Sequence, residues 1–187
     1  MRVISGKVRG RFLKVPRSPG TRPATDRMRE SLFSILGTRL NESRVLDLFA
    51  GSGSFGIEAL SRGAAYCLFV DISRACTECI RENLTIFDRL ERRGAELARV
   101  VRADAFRLAG TIRERFDVCF LDPPYALSEH AKGRIAKLIS ELLEHCDLVV
   151  YHHPKKHPPA DGPFEISDYR TYGQAAVSFL RRPRAAS

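Results

Sequence analysis

Phe116-Asp117-Val118-Cys119-Phe120-Leu121-Asp122-Pro123-Pro124-Tyr125 is the stretch that decides the fold. Its first six residues make a short apolar run of the kind that becomes a buried strand. Two prolines follow almost at once. Each lacks an N–H and fixes φ, so neither continues a sheet ladder nor sits in a helix interior. The chain must stop abruptly at the strand's carboxyl end, the edge at which open α/β sheets bind ligands. The stop gathers a carboxylate, a proline carbonyl and an aromatic ring. Acceptors beside a flat ring suit a planar substrate with an NH2 group, such as a nucleobase. The plainer alternative is a strand ending in a Pro-Pro turn with a surface tyrosine. The tetrapeptide alone leaves both open.

Around this stretch, strands and helices alternate. Apolar runs at residues 44–49, 66–70, 97–101, 116–121 and 146–151 read as strands. Residues 54–62, 73–89, a few after Asp104, and 128–144 read as helices. Such alternation predicts an α/β fold, a mainly parallel sheet with helices on both faces. Residues 164–171 and 175–181 flank Tyr172-Gly173-Gln174 and predict an antiparallel hairpin that closes the sheet. Residues 154–163 read as a loop. At the other end, residues 3–15 read as two short strands around glycines, a small basic β-hairpin. Pro16, Pro19, Gly20 and Pro23 make a connector. Thr25 or Asp26 can cap a helix to about Leu36, with Met28, Leu32, Ile35 and Leu36 on one face and Gly37 as its stop. The expected organisation is an extension over residues 1–20 and a single domain over 21–187.

After the first parallel strand comes Asp47-Leu48-Phe49-Ala50-Gly51-Ser52-Gly53-Ser54-Phe55-Gly56. Glycines there allow a tight turn and close ligand approach, and the helix start that follows offers free N–H groups. Asp71 ends the second strand, where a carboxylate can accept both hydroxyls of an adenosine ribose. Asp104 ends the third and suits an adenine amino group, with Phe106 available for stacking. Gly51-x-Gly53-x-x-Gly56 with Asp71 also matches a dinucleotide fingerprint, which keeps a nicotinamide-dependent oxidoreductase as an alternative. Asp47 opposes it, because it would set negative charge beside a pyrophosphate. The same carboxylate suits the α-ammonium of S-adenosylmethionine. Acidic residues at three successive strand ends, then Asp-Pro-Pro-Tyr after the fourth, favour a methyltransferase.

The net charge is +9 over 187 residues, and it is uneven. Residues 1–44 hold 11 Lys/Arg against Asp26, Glu30 and Glu42. This asymmetry points to a polyanion partner, nucleic acid rather than membrane. A solvated basic face is the plainer reading. Five cysteines with no apolar leader at the N-terminus predict free thiols and a cytoplasmic protein. Cys76-Thr77-Glu78-Cys79 has no second pair to complete a zinc site, and no metal is expected.

The motifs together resemble a known family. Asp-Leu-Phe-Ala-Gly-Ser-Gly at 47–53 is similar to the first motif of class I S-adenosylmethionine-dependent methyltransferases, which have a Rossmann-like fold with a seven-stranded sheet. Asp122-Pro123-Pro124-Tyr125 resembles the (Asn/Asp)-Pro-Pro-(Tyr/Phe) motif of amino-group methyltransferases. Ile4-Ser5-Gly6-Lys7-Val8-Arg9-Gly10-Arg11, Arg22-Pro23-Ala24-Thr25-Asp26-Arg27-Met28-Arg29-Glu30 and Tyr172-Gly173-Gln174 bring the likeness close to the bacterial RsmD-type enzymes. The resemblance implies methyl transfer to N2 of a guanine in 16S ribosomal RNA, within a small-subunit assembly particle, by a monomer that releases S-adenosylhomocysteine. A DNA adenine-N6 methyltransferase is the nearest enzymatic alternative. Asp122, Pro123, Pro124 and Tyr125 would be the catalytic group. Asp47, Phe49, Gly51, Ser52, Gly53, Asp71, Ile72, Asp104 and Ala105 would hold the cofactor. Lys7, Arg9, Arg11, Arg22 and Arg27 would contact RNA. After the fifth strand the family usually has a glutamate-containing stretch. This chain has Tyr151-His152-His153-Pro154; both histidines read as loop residues, structural or solvated, with a proton shuttle as the alternative role.

Overall fold

The computed structural model describes residues 1–16, 25–88 and 97–183. The helices and strands are α1 (Asp26–Leu36), β1 (Arg44–Leu48), α2 (Ser54–Ser61), β2 (Tyr66–Asp71), α3 (Arg74–Leu84), β3 (Ala98–Arg102), α4 (Ala105–Ala109), β4 (Phe116–Leu121), α5 (Tyr125–His130), α6 (Lys132–Leu143), β5 (Cys146–Pro154), β6 (Glu165–Tyr172) and β7 (Ala175–Arg181). The strands form one seven-stranded sheet in the order β3-β2-β1-β4-β5-β7-β6. The first five are parallel, and β7 runs antiparallel to both β5 and β6. This is the α/β, Rossmann-like class I methyltransferase architecture that the alternation and motifs predict.

Side chains alternate across the strands, so each strand feeds two cores. Val118 and Phe120 of β4 join Phe33, Phe55, Ile57 and Phe69 on one face. Cys119 and Leu121 join Leu46, Leu48, Ile135 and Ile139 on the other. Strand order reverses between β1 and β4. Leu48 pairs with Val70 on one side and with Leu121 on the other. The crevice at a parallel sheet's carboxyl edge opens at such a switch point, here beside Asp122.

Helix α1 starts where Thr25 accepts the Met28 N–H, which settles the cap. Its buried face is Met28, Arg29, Leu32, Phe33 and Leu36, while Ile35 is 38% exposed. The periodicity placed Ile35 inside, but the crossing of α1 gives that room to Phe33 and the guanidinium of Arg29. Arg29 is fully buried and donates to Asp26, to the Arg2 carbonyl and to the Ser54 carbonyl.

The N-terminal hairpin takes another form than expected. Its strands reduce to one antiparallel bridge, Arg2 with Phe12, and the chain between them turns repeatedly. Val3, Val8 and Leu13 are buried in the main core. The spacing of five between them is not a strand's period of two. The Ile4 and Ser5 N–H groups donate to buried Glu58 of α2 at 2.7 and 3.0 Å. Gly6 has φ +87°, and a Cβ there would lie 1.9 Å from the Ser61 carbonyl oxygen, so only glycine allows this approach. The segment is docked on the domain rather than appended to it.

Candidate active site

The β1–α2 turn is built on unusual backbone. Phe49, Gly51 and Gly53 all have positive φ, at 58°, 56° and 77°. A bulky aromatic in that region is an outlier that surrounding structure must hold in place, and such strain clusters at ligand sites. Gly56 serves packing instead: a Cβ there would meet the Phe69 ring at 2.3 Å, so glycine lets α2 lie directly on β2.

Asp71 braces this turn. Its Oδ2 accepts the Gly51 N–H at 2.9 Å and its Oδ1 the Ser73 N–H at 2.8 Å. Ile72 beside it is 64% exposed. Asp104 Oδ1 accepts the Phe106 N–H at 2.9 Å and caps α4, whose first residue, Ala105, is buried. Phe106 meets the ring of Phe49 edge-on at 5.7 Å, and the Arg134 guanidinium lies 4.3 Å from its centroid. Ser52 is buried, and its carbonyl accepts from Asn83 at 2.9 Å.

Asp47 is fully buried. Its Oδ2 accepts the Gly56 N–H at 2.9 Å, and its Oδ1 has no hydrogen-bond partner among the described residues. Burial pushes this carboxyl well above the usual carboxylate range. The Gly56 bond opposes that, and the charges of Asp122 and Asp71 add to it. The carboxylates are therefore close enough to feel one another along one sheet edge. An unpartnered buried acceptor is costly, and a cationic donor from a ligand would relieve it.

On the other side of the switch point the chain stops as the prolines dictate. The Asp122 N–H reaches the Leu48 carbonyl at 3.4 Å. Pro123 is buried and Pro124 exposed. The Pro124 carbonyl accepts the Leu127 N–H at 2.8 Å, which starts α5 at Tyr125. Tyr125 is thus the first residue of a helix and not a surface ornament on a turn. The Asp122 side chain is 29% exposed, and its Oδ1 lies 2.7 Å from Nδ1 of His152.

That contact corrects the reading of the two histidines. Both lie in β5, which continues three residues past the expected end at Tyr151 and pairs there with β7, His152 with Val177 and His153 with Ala176. Both are buried. Polar residues before a proline read as loop, and the length of β7, seven apolar-rich residues in need of a partner, was the available signal. His153 donates from Nδ1 to the Pro154 carbonyl and accepts at Nε2 from the Ser178 hydroxyl, both at 2.9 Å. Burial lowers its pKa to about 4. Between pH 6.5 and about 4 the unfolded chain takes up a proton that the folded chain refuses, so stability falls as pH falls through this window. The loss is of order 3 kcal/mol, complete near pH 4 and absent above about 6.5. Denaturation of the wild type and His153→Gln at pH 7 and 4.5 should reveal the difference. An imidazole of His153 titrating near 6.5 by NMR would contradict it.

The cations expected to face RNA fall in two groups. Lys7, Arg9, Arg11 and Arg27 are exposed, while Arg22 lies outside the described residues. Phe12 among them is 81% exposed. Arg2 and Lys14 are not bare cations, because they pair with Asp26 at 3.8 Å and Glu82 at 2.8 Å. Two buried side chains tie this segment to the glycine turn. Arg29 joins the carbonyls of Arg2 and Ser54, and Asn83 those of Lys14 and Ser52. The sequence reading missed both, since their partners are backbone oxygens. All five cysteines are free and buried, and no group of three or more His, Cys, Asp or Glu is placed to hold a metal among the described residues.

Comparison with known proteins places these features in context. A family model described as conserved hypothetical protein 95 matches residues 1–181. YlbH of Bacillus subtilis is 37% identical over 97% of this chain and 99% of its own length. The ribosomal RNA small subunit methyltransferase D of Escherichia coli is 41% identical over 67% of this chain and 60% of that protein. The solved structure of yhhF from Escherichia coli superposes with a TM-score of 0.78 at 30% identity, covering 97% of each chain.

Proposed function

The chain belongs to the conserved hypothetical protein 95 family, the RsmD-type methyltransferases, and from that premise we propose that it methylates N2 of a guanine in small-subunit ribosomal RNA with S-adenosylmethionine as donor. One observation carries the reading: Asp47, Asp71 and Asp104 stand at or within two residues of the carboxyl ends of β1, β2 and β3, on the same edge at which Asp-Pro-Pro-Tyr follows β4. When bound, S-adenosylmethionine supplies an electrophilic methyl group on a sulfonium. The residues present fit it. Asp47 Oδ1, buried and unpartnered, suits the α-ammonium. Asp71, held by two backbone N–H groups, suits the ribose hydroxyls, and Asp104 with Ile72 the adenine.

A guanine N2 lone pair is delocalised into its ring and attacks poorly. In the proposed complex Asp122 and the Pro123 carbonyl accept the two N2 hydrogens and hold the nitrogen facing the methyl. Tyr125 stacks on a base that is unpaired or flipped out. Asp122 or water takes the proton after transfer. Positioning supplies much of the acceleration. The substrate is a small-subunit assembly particle, the enzyme acts as a monomer in the cytoplasm, and no helix among the described residues is long and apolar enough to cross a membrane. Labelled S-adenosylmethionine should transfer its methyl to small-subunit RNA from a strain lacking the corresponding enzyme. Absence of label in RNA and in assembly particles alike would refute the proposal.

Asp71→Ala should weaken S-adenosylmethionine binding at least about tenfold, because hydrogen bonds to charged groups contribute ~1.5–3 kcal/mol each. The Gly51 and Ser73 N–H groups also lose their acceptor. Unchanged affinity by calorimetry in a folded variant would remove Asp71 from the site. For RNA, each phosphate contact on a single strand adds about −0.7 to the slope of log K against log salt. Arg9 and Arg11 replaced together by Gln should flatten it by roughly 1 to 1.5. An unchanged slope would return them to a merely solvated face.

A further inference from the structure

Two adjacent histidines of β5 point to opposite faces of the sheet, as strand geometry requires. His153 is engaged by Ser178 and Pro154, away from the tetrapeptide. His152 faces it. Its Nδ1 is 2.7 Å from Asp122 Oδ1, and its Nε2 is 3.4 Å from the Tyr125 hydroxyl. A carboxylate can only accept, so Nδ1 carries the proton, and in the neutral ring Nε2 is a lone pair toward the phenol O–H. The Tyr125 and His152 rings meet edge-on at 5.8 Å and 62°. One buried imidazole therefore touches both functional side chains of Asp-Pro-Pro-Tyr. It does so from β5, which is paired with β7 at His152 itself and with β4 up to Tyr151, whereas the tetrapeptide itself sits on a loop and a helix start.

We propose that His152 is a positioning residue for the methyl transfer: it engages Oδ1 of Asp122 and so presents Oδ2 to the substrate amine, while setting the plane of the Tyr125 ring. The proposal rests on the methyl-transfer reading above. Groups locked by such supporting hydrogen bonds stay within the narrow geometry that reaction needs. The same geometry argues against a proton shuttle through this contact, since the ring atom nearest the carboxylate already bears a proton. An imidazole at this position brings a hydrogen-bond donor to Asp122, which a carboxylate could supply only when protonated.

Three substitutions separate positioning from mere filling of space. His152→Phe keeps the ring and removes both hydrogen bonds. His152→Asn places an amide N–H near the Nδ1 position, and His152→Gln places its amide near Nε2. At saturating RNA, His152→Phe should lower kcat by about tenfold to a hundredfold, the cost of a small misplacement, with S-adenosylmethionine affinity within about twofold. His152→Asn should recover most of the loss and His152→Gln little of it. Nitrogen-15 NMR of the wild type should show the Nδ1–H tautomer, lost in Asp122→Ala. A folded His152→Phe variant with wild-type kcat, an Asn variant no better than Phe, or an Nε2–H tautomer in the wild type would overturn the proposal. If the Phe variant fails to fold, the Asn/Gln pair and the tautomer decide. The NMR result judges the His152–Asp122 bond without any substrate, so its failure is distinct from the wild type's failing to methylate RNA.

Discussion

Asp122→Ala should lower turnover by about 10²- to 10³-fold, the usual cost of losing one preorganised polar group that acts on the reacting atoms. Affinity for S-adenosylmethionine should stay within a few-fold, because the Asp122 side chain lies after β4, across the switch point from the braced glycine turn. The Ala variant also leaves Nδ1 of buried His152 without its acceptor, so it should lose about 1–3 kcal/mol of stability. Asp122→Asn is the sharper test. It keeps an oxygen for His152 and turns the second atom from acceptor to donor, so that it faces the substrate amine N–H with another N–H. Its turnover should fall as far as that of the Ala variant, with stability nearly intact. Near-normal turnover of the Asn variant at saturating RNA would remove Asp122 from the chemistry.

Removal of residues 1–15 should prevent folding, although the sequence reads residues 1–20 as a basic extension outside the domain, which would make them dispensable for folding. Val3, Val8 and Leu13 are at most 5% exposed, and burying each such side chain contributes about 1.5–3 kcal/mol. Those three alone approach the ~5–15 kcal/mol that holds a domain together. The truncation would also strip Glu58, fully buried, of the Ile4 and Ser5 N–H groups and leave it only Arg62, at 2.7 Å. Breaking a buried charged network from one side costs about 3–5 kcal/mol, and Glu58→Ala should show a loss of that size in its denaturant midpoint. A truncated chain with the wild type's melting temperature would restore the detachable extension. RNA affinity is therefore better dissected through Arg9 and Arg11, which are exposed.

The parts of the fold that sequence made legible are those set by local chemistry. Residues 116–121 and the double proline placed β4 and its stop to the residue. The glycines placed the β1–α2 turn, and the alternation placed the first four parallel strands within a residue or so and the start of β5. What stayed illegible depends on distant pairing. His152 and His153 became strand because β7 required a partner, a fact absent from their own neighbourhood. Arg29 and Asn83 looked like ordinary polar helix residues, and their role lies in backbone carbonyls 25 to 69 positions away. The glycines at 6 and 10 suggested a hairpin, but Gly6 serves close approach to α2. Motifs named the candidate site residues. The hydrogen bonds that hold those residues came only from the three-dimensional arrangement.

The most direct measurement is nucleoside analysis of small-subunit RNA, prepared from a strain lacking the corresponding methyltransferase and incubated with this protein and labelled S-adenosylmethionine. Label recovered in N2-methylguanosine is the predicted result, and label in N6-methyladenosine, or none in RNA or particle, would contradict the account.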